Sequence, residues 1–355
     1  MQTETFNPTI SIIIPCHNVA GELLKSLRSI EKQTMPMEQM EIILVDDAST
    51  DATMAIMRDF ADQYEDNVTV IAHKEKAGTG SALNLAITYA QGEYVMFLCG
   101  GDHLEKDACE KMVSAAKKNG LDILQTAYCL VHTDGRTELV EGTSMFGAFD
   151  LTDAELRKEF LVRDIMTLDC RNKLFRRDLL VRVRSSFAEG VGYAEPKFVY
   201  PLLLKAAKVG TAKQITHYIV EQPPSGAGDI WRRNLELIER PKFELQLLFW
   251  LKHRPELFDA FKDEILYNFF RRFYLRPLYI TASSDAPITG YDYEWMRNVV
   301  LTELADNKDN PYMNGGDLAI LIKNLEHSFL DDDVSLSDYL EKIRLTFEGA
   351  SWSGI

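Results

Sequence analysis

Four short β-branched runs, each followed by a polar turn and an amphipathic stretch, constrain this chain more than any other feature. They are Thr9-Ile-Ser-Ile-Ile-Ile-Pro15, Glu41-Ile-Ile-Leu-Val45, Val68-Thr-Val-Ile71 and Tyr94-Val-Met-Phe-Leu98. Runs this short and this branched are buried strands rather than helices. Between them, Gly21 to Gln33 sets Leu23, Leu24, Leu27 and Ile30 at helical spacing. The stretches from Asp51 to Tyr64 and from Ser81 to Ala90 read as the second and third helices. Alternation at this pace predicts an α/β fold with a mainly parallel sheet covered on both faces. Ligands of such sheets gather at the carboxyl ends of the strands. Polar residues follow the strands here: Cys16-His-Asn18, Asp46-Asp-Ala-Ser-Thr-Asp51 and Cys99-Gly-Gly-Asp102.

A chain of 355 residues is long for one hydrophobic core, so a second unit is expected. The β-branched runs cease after Pro223-Pro-Ser-Gly-Ala-Gly228, the best linker in the sequence. From about residue 230 to Phe347 the apolar spacing suits amphipathic helices. The expected division is an α/β domain over 1–225 and a helical accessory region over 226–355.

Charge narrows the function. Lys plus Arg number 39 against 54 Asp plus Glu, a net charge of −15, which argues against a general nucleic-acid binder. Five dispersed cysteines without a CxxC spacing read as reduced thiols of the cytoplasm rather than as a zinc site or a disulfide framework. The first residues lack a signal-peptide pattern, and no apolar stretch is long enough to span a bilayer. A cytoplasmic protein, with at most peripheral contact at the inner face of a membrane, is therefore expected.

The strongest local feature is Ile42-Ile-Leu-Val-Asp-Asp-Ala-Ser-Thr-Asp51. Ser49, Thr50 and Asp51 are good helix caps. Capping leaves the doublet Asp46-Asp47 unexplained, and a carboxylate just past a buried strand can accept hydrogen bonds from a base or ribose. In order with its neighbours the motif gains specificity. Ser11-Ile-Ile-Ile-Pro-Cys-His-Asn18, Ser26-Leu-Arg-Ser-Ile-Glu-Lys-Gln-Thr34 and Val45-Asp-Asp-Ala-Ser-Thr-Asp51 are followed by Lys76-Ala-Gly-Thr-Gly-Ser-Ala-Leu-Asn84 and Gly92-Glu-Tyr-Val-Met-Phe-Leu98. Together with Cys170-Arg-Asn-Lys-Leu-Phe-Arg-Arg-Asp178, this set resembles the family-2 glycosyltransferases over roughly residues 9–225. The resemblance implies a GT-A fold, Rossmann-like, that binds a nucleotide sugar. By it, Pro15, Asn18 and Asp47 line the base and ribose, and Gly78 and Asn84 shape the loop beside them.

Two departures bear on chemistry. After the fourth strand the family carries an Asp-x-Asp-Asp run that holds a divalent cation against the diphosphate. Here the matching residues are Cys99, Gly100, Gly101 and Asp102, so Asp102 alone remains for Mn²⁺ or Mg²⁺, and weak metal binding is expected. Asp102 also suits a plain cap for a helix starting near Glu105. The family further places a Glu-Asp pair before a helix, with the Asp as general base. Gly192-Tyr-Ala-Glu-Pro-Lys-Phe198 puts Pro196 at that position, which leaves Glu195 as the adjacent catalytic candidate. Downstream, His217 is expected on a half-buried strand. Arg232 and Arg233 could neutralise a diphosphate, although paired arginines are more often surface charge.

The resemblance thus implies an inverting transfer from a nucleotide sugar, with UDP as carrier, to a hydroxyl of a glycan or polymer. The alternative is a catalytically weak or inactive relative that serves as a nucleotide-sugar-binding or scaffold subunit, paired with itself or with a sibling transferase. A nucleotide-sugar pyrophosphorylase would carry a Gly-rich basic loop after the first strand, and Cys16-His17-Asn18 is not one.

Overall fold

A computed structural model of the protein describes residues 7–190, 194–221, 235–282, 289–305 and 309–314, with Asp338 and Glu341. The Pro223–Gly228 linker, Gly192 and the Arg232–Arg233 pair lie outside these residues. The chain divides into two compact units, one of residues 1–157 with 165–223 and one of residues 158–164 with 224–355.

The first unit is built on a ten-stranded mixed sheet. β1 (Ile10–Cys16), β2 (Met40–Asp46), β3 (Val68–Ala72) and β4 (Tyr94–Phe97) are the four runs read from the sequence. β1 pairs in parallel with β2 and β4, and β2 with β3. Ile10, Ile12, Ile13 and Ile14 are fully buried, as a strand covered on both faces requires. The intervening helices are α1 (Ala20–Glu31), α2 (Thr53–Gln63) and α3 (Thr79–Tyr89). Each residue of the Leu23, Leu27, Ile30 stripe of α1 is buried, whereas Leu24 is 44% exposed.

Beyond β4 the sheet changes direction. β5 (His103–Leu104) follows the Gly-Gly-Asp turn, then come α4 (Ala108–Asn119), β6 (Ile123–Val131), β7 (Thr137–Val140) and β8 (Gly147–Asp150). α5 (Ala154–Val162) begins in this unit and ends in the other, and β9 (Lys173–Arg176), α6 (Arg177–Val183), α7 (Glu195–Lys205) and β10 (Lys208–Val220) complete the first. The order is β3-β2-β1-β4-β9-β6-β10-β5, with β7 on β6 and β8 on β10. β9 is antiparallel to both β4 and β6, while β6 and β10 are parallel.

A phenylalanine cluster fixes the segment before α7. Phe97 on β4 meets Phe187 and Phe198 edge-on at centroid distances of 5.3 and 5.4 Å. Phe187 and Phe198 stack at 4.2 Å. Edge-to-face pairs add about 0.5–1.5 kcal/mol beyond the area they bury, so the start of α7 is held firmly. Pro196 sits buried in the first turn of α7, where a missing N–H costs nothing.

The second unit, among its described residues, is helical: Arg240–Lys252, Pro255–Phe258, Lys262–Phe270, Arg276–Ala282 and Gly290–Leu304. Phe243, Leu247, Phe270, Phe273 and Met296 form part of its core. Asp164 pairs with Arg271 at 3.3 Å and with Arg272. Among the described residues, no helix is long and apolar enough to cross a membrane.

Candidate active site

The carboxyl ends of β1 and β2 are stitched together by side chains. Asn18 adopts φ 51°, a conformation asparagine tolerates. Its amide donates to Ser49 Oγ at 3.0 Å, and its Oδ1 accepts the Thr50 amide at 2.8 Å. Val19 N–H donates to Thr53 Oγ1, and Ala20 N–H to Asp51 Oδ2. Pro15 is half-buried at the end of β1. The expected capping by Ser49, Thr50 and Asp51 is only partly seen: Asp51 accepts the Thr53 amide, while Ser49 and Thr50 tie the two loops together.

The carboxylate doublet also has a structural account. Asp46 accepts the Ser49 amide. Asp47 is 3% exposed, and its Oδ1 meets His73 Nδ1 and the Ala77 amide, both at 2.8 Å. Its Oδ2 accepts the Gly78 amide at 2.8 Å. Burial pushes its pKa up, but His73 and the two amides outweigh burial and leave it lowered. Asp47 thus builds the 73–78 loop, with one lone-pair direction to spare. Gly78 closes that loop at φ 91°, the left-handed region that favours glycine. A Cβ on Gly80 would come within 1.9 Å of the Ala188 carbonyl oxygen, so α3 and the 184–190 loop touch backbone to backbone there. Asn84 secures the same contact. Its Oδ1 accepts the Phe187 amide at 2.7 Å, and its Nδ2 donates to the Phe187 carbonyl and to Glu189. His73 and Gly80 escaped the sequence reading; only their position beside Asp47 and Asn84 could have pointed to them.

A second cluster surrounds Asp102. This residue does not cap a helix, because α4 starts at Ala108 and β5 intervenes. Asp102 is 1% exposed, and its Oδ1 accepts the Val220 amide at 2.8 Å. Its Oδ2 is buried with no hydrogen-bond partner, and Arg171 Nη1 lies 3.9 Å away. Burial raises the Asp102 carboxyl to about 6 against the pull of Arg171. Arg171 grips Asp169 through Nε and Nη2, at 3.1 and 2.6 Å to Oδ2. Burial opposes the charge of Asp169, but this grip holds its carboxyl down at about 2. Glu195, first residue of α7, is pushed up by burial and by the charge of Asp169. Lys173 Nζ donates to Thr167 Oγ1 at 2.7 Å and to the Asp169 carbonyl. His217 is fully buried rather than half-buried, with Nε2 unpartnered; burial lowers it to about 3 and keeps it neutral.

A divalent ion fits these residues poorly. Such ions take several hard oxygens at once. Cys99 and Gly101 supply none, Asp102 has one free oxygen, and a guanidinium already stands nearest it. Among the described residues, no group of three His, Cys, Asp or Glu side chains is arranged for a metal. Gly101 has φ 101°, so an aspartate restored there would be strained. Arg171 and Asp169 were missed in sequence because their importance depends on Asp102, which only the fold brings beside Arg171.

Comparison with known proteins places this geometry. Residues 11–183 match the family described as Glycosyl transferase family 2. The chain is 26% identical over 341 residues to the Minor teichoic acid biosynthesis protein GgaB of Bacillus subtilis, covering 94% of this chain and 34% of that protein. It is 31% identical over 218 residues to the Poly(ribitol-phosphate) beta-glucosyltransferase of Bacillus spizizenii, covering 59% and 32%. The chain therefore spans about a third of the length of these two relatives. A crystal structure of S. aureus TarS 1–349 in complex with UDP-GlcNAc superposes with a TM-score of 0.69 at 19% identity, covering 96% of this chain and 90% of that one. The fold is GT-A, and residues 11–183 carry the sequence pattern of glycosyl transferase family 2.

Proposed function

We propose that this chain is an inverting transferase that moves a sugar from a UDP-sugar onto a hydroxyl of a polymer. The observation that carries the reading is the family-2 match of residues 11–183, and two carboxyls fit it: Asp169, gripped by Arg171, is held low, while Glu195 is raised by burial. Carboxyls driven apart in this way take different roles, and a raised one is a stronger base than an ordinary carboxylate. Glu195 removes the proton of the acceptor hydroxyl. The acceptor oxygen bonds to the anomeric carbon as the bond from that carbon to the diphosphate breaks. UDP leaves with the electron pair, and Arg171 offsets its growing charge. If Mn²⁺ or Mg²⁺ accompanied the diphosphate, Asp102 would be its one protein carboxylate and would hold it weakly. The base and ribose are assigned to Pro15, Asn18 and Asp47, beside Gly78 and Asn84. The names of two relatives point to poly(ribitol-phosphate) and teichoic acid as the acceptor class. Their biosynthetic character supports work at the cytoplasmic side of a membrane.

The test is transfer of labelled sugar from UDP-GlcNAc or UDP-glucose to a poly(ribitol phosphate) acceptor, with Glu195→Gln as control. Labelled polymer from the wild type and none from the variant supports the reading. Pro196 at the base position and the missing carboxylates favour a second reading, an inactive subunit of another transferase or of a homo-oligomer. UDP binding without transfer, together with stable capture of an active sibling enzyme, would favour it.

A further inference from the structure

We propose that a basic groove between α1 and β5 binds an extended phosphodiester polymer, at a site separate from the sugar-transfer residues. The groove has a volume of about 880 Å³ and is lined by Lys25, Arg28, Lys32 and Lys106 together with His103 and Ser29. Four cations in one cavity run against a chain whose net charge is −15. None of the four pairs with a carboxylate among the described residues, whereas other basic side chains of this unit do: Lys111 with Asp107, Lys117 with Glu93, Arg176 with Asp122 and Arg171 with Asp169.

Placement on the helix makes the charge costly. Lys25 and Arg28 on α1 and Lys32 at its C-cap stand at i, i+3 and i+7 along one stripe, and like charges at such spacings repel. Arg28 and Lys32 gain something from the carboxyl end of the helix. That accounts for neither Lys25 nor Lys106, which reaches the same cavity from the other wall.

The walls are pre-assembled. Leu104 N–H donates to Ser29 Oγ at 3.1 Å, Gln33 Nε2 to the Glu105 carbonyl at 2.8 Å, and Thr34 N–H to the Lys106 carbonyl at 3.0 Å. Little ordering is then needed on binding. His103 stacks on Tyr218 at 4.7 Å, and its buried Nδ1 has no partner. From Lys25 to Lys32 the helix rises roughly 10 Å, which exceeds a single phosphate and suits a chain of them. A concave wall with Leu24 as its one exposed large apolar side chain favours a polymer over a membrane surface. Binding itself does not require transfer; that the polymer is the acceptor rests on the proposed function.

The experiment uses the full chain and a fluorescein-labelled glycerol-phosphate oligomer, without any donor, followed by fluorescence anisotropy. Contacts to three or four phosphates should give a slope of about −2 to −3 in log K against log salt. Arg28→Glu with Lys32→Glu should weaken binding by tenfold or more and leave UDP affinity unchanged. The milder Arg28→Gln with Lys32→Gln, checked by circular dichroism, should weaken it less. Oligomer affinity unaltered in both double variants would overturn the proposal, as would binding to phosphatidylglycerol vesicles without binding to the oligomer. Lost transfer with oligomer binding intact would count against the proposed function alone.

Discussion

Two regions of one domain handle buried polar groups in opposite ways. At the carboxyl ends of β1 and β2, Asp46, Asp47 and Asn18 spend their oxygens on backbone amides. Around Arg171, Asp102 keeps a buried oxygen unpartnered, His217 an unpartnered nitrogen, and neighbouring carboxyls are pushed in opposite directions. The first region is complete without a ligand, and its loops would hold their shape empty. The second carries unpaired buried groups, whose desolvation a folded protein bears only where something is gained. Shape is built in the one, and chemistry is held ready in the other.

The sharpest way to break this comparison is to remove the proposed base. Glu195→Gln should lower turnover by about 10²–10⁴-fold while UDP binding stays near wild type. A loss confined to UDP affinity would move Glu195 out of the chemistry and into binding.

Asp102 offers the next effect, through stability. Its carboxyl is raised to about 6 in the fold from an unfolded value of 3.8. Such a group stabilises the fold fully below the unfolded value, and that contribution is lost as pH rises through about 6. Asp102→Asn should therefore gain stability relative to wild type between pH 5 and 8. The gain is at most about 3 kcal/mol, since the shift to about 6 already includes the pull of Arg171. Denaturant titrations at the two pH values check the sign; a relative loss at pH 8 would show that Arg171 more than repays the burial.

In the complete region the effect should be gentler and of a different kind. Asp47→Ala frees the Ala77 and Gly78 amides and should weaken UDP binding by about 1–3 kcal/mol, read by calorimetry. Unchanged affinity would leave Asp47 a purely structural residue. Smallest of all, Cys99→Asp should raise the benefit of Mn²⁺ only modestly, because Gly101 cannot follow it without strain.

Much of this was legible from residue order. β1 to β4 and α1 to α3 appear within two residues of the expected limits, because short branched runs and helical spacing leave little choice. The antiparallel turn of the sheet was not legible. β9 is four residues long, and its place between β4 and β6 is set by partners far apart in sequence. The site divides the same way. Asn18, Asp47 and Asn84 belong to motifs; Asn18 and Asp47 fall on loops tied together, and Asn84 lies on α3. Arg171 sits inside a quoted motif, yet its meaning comes from Asp102, 69 positions earlier, which only the fold brings to 3.9 Å.

On the proposed function, Arg171 rather than a bound cation supplies the positive charge that meets the diphosphate. Calorimetry of UDP binding in EDTA and in Mn²⁺, for wild type and Arg171→Gln, tests it directly. Wild-type affinities should lie within about threefold of each other in the two buffers, and the variant should lose tenfold or more under both, since a charge-assisted contact is worth about 1.5–3 kcal/mol. Binding that appears only with Mn²⁺ and is indifferent to Arg171→Gln would contradict it.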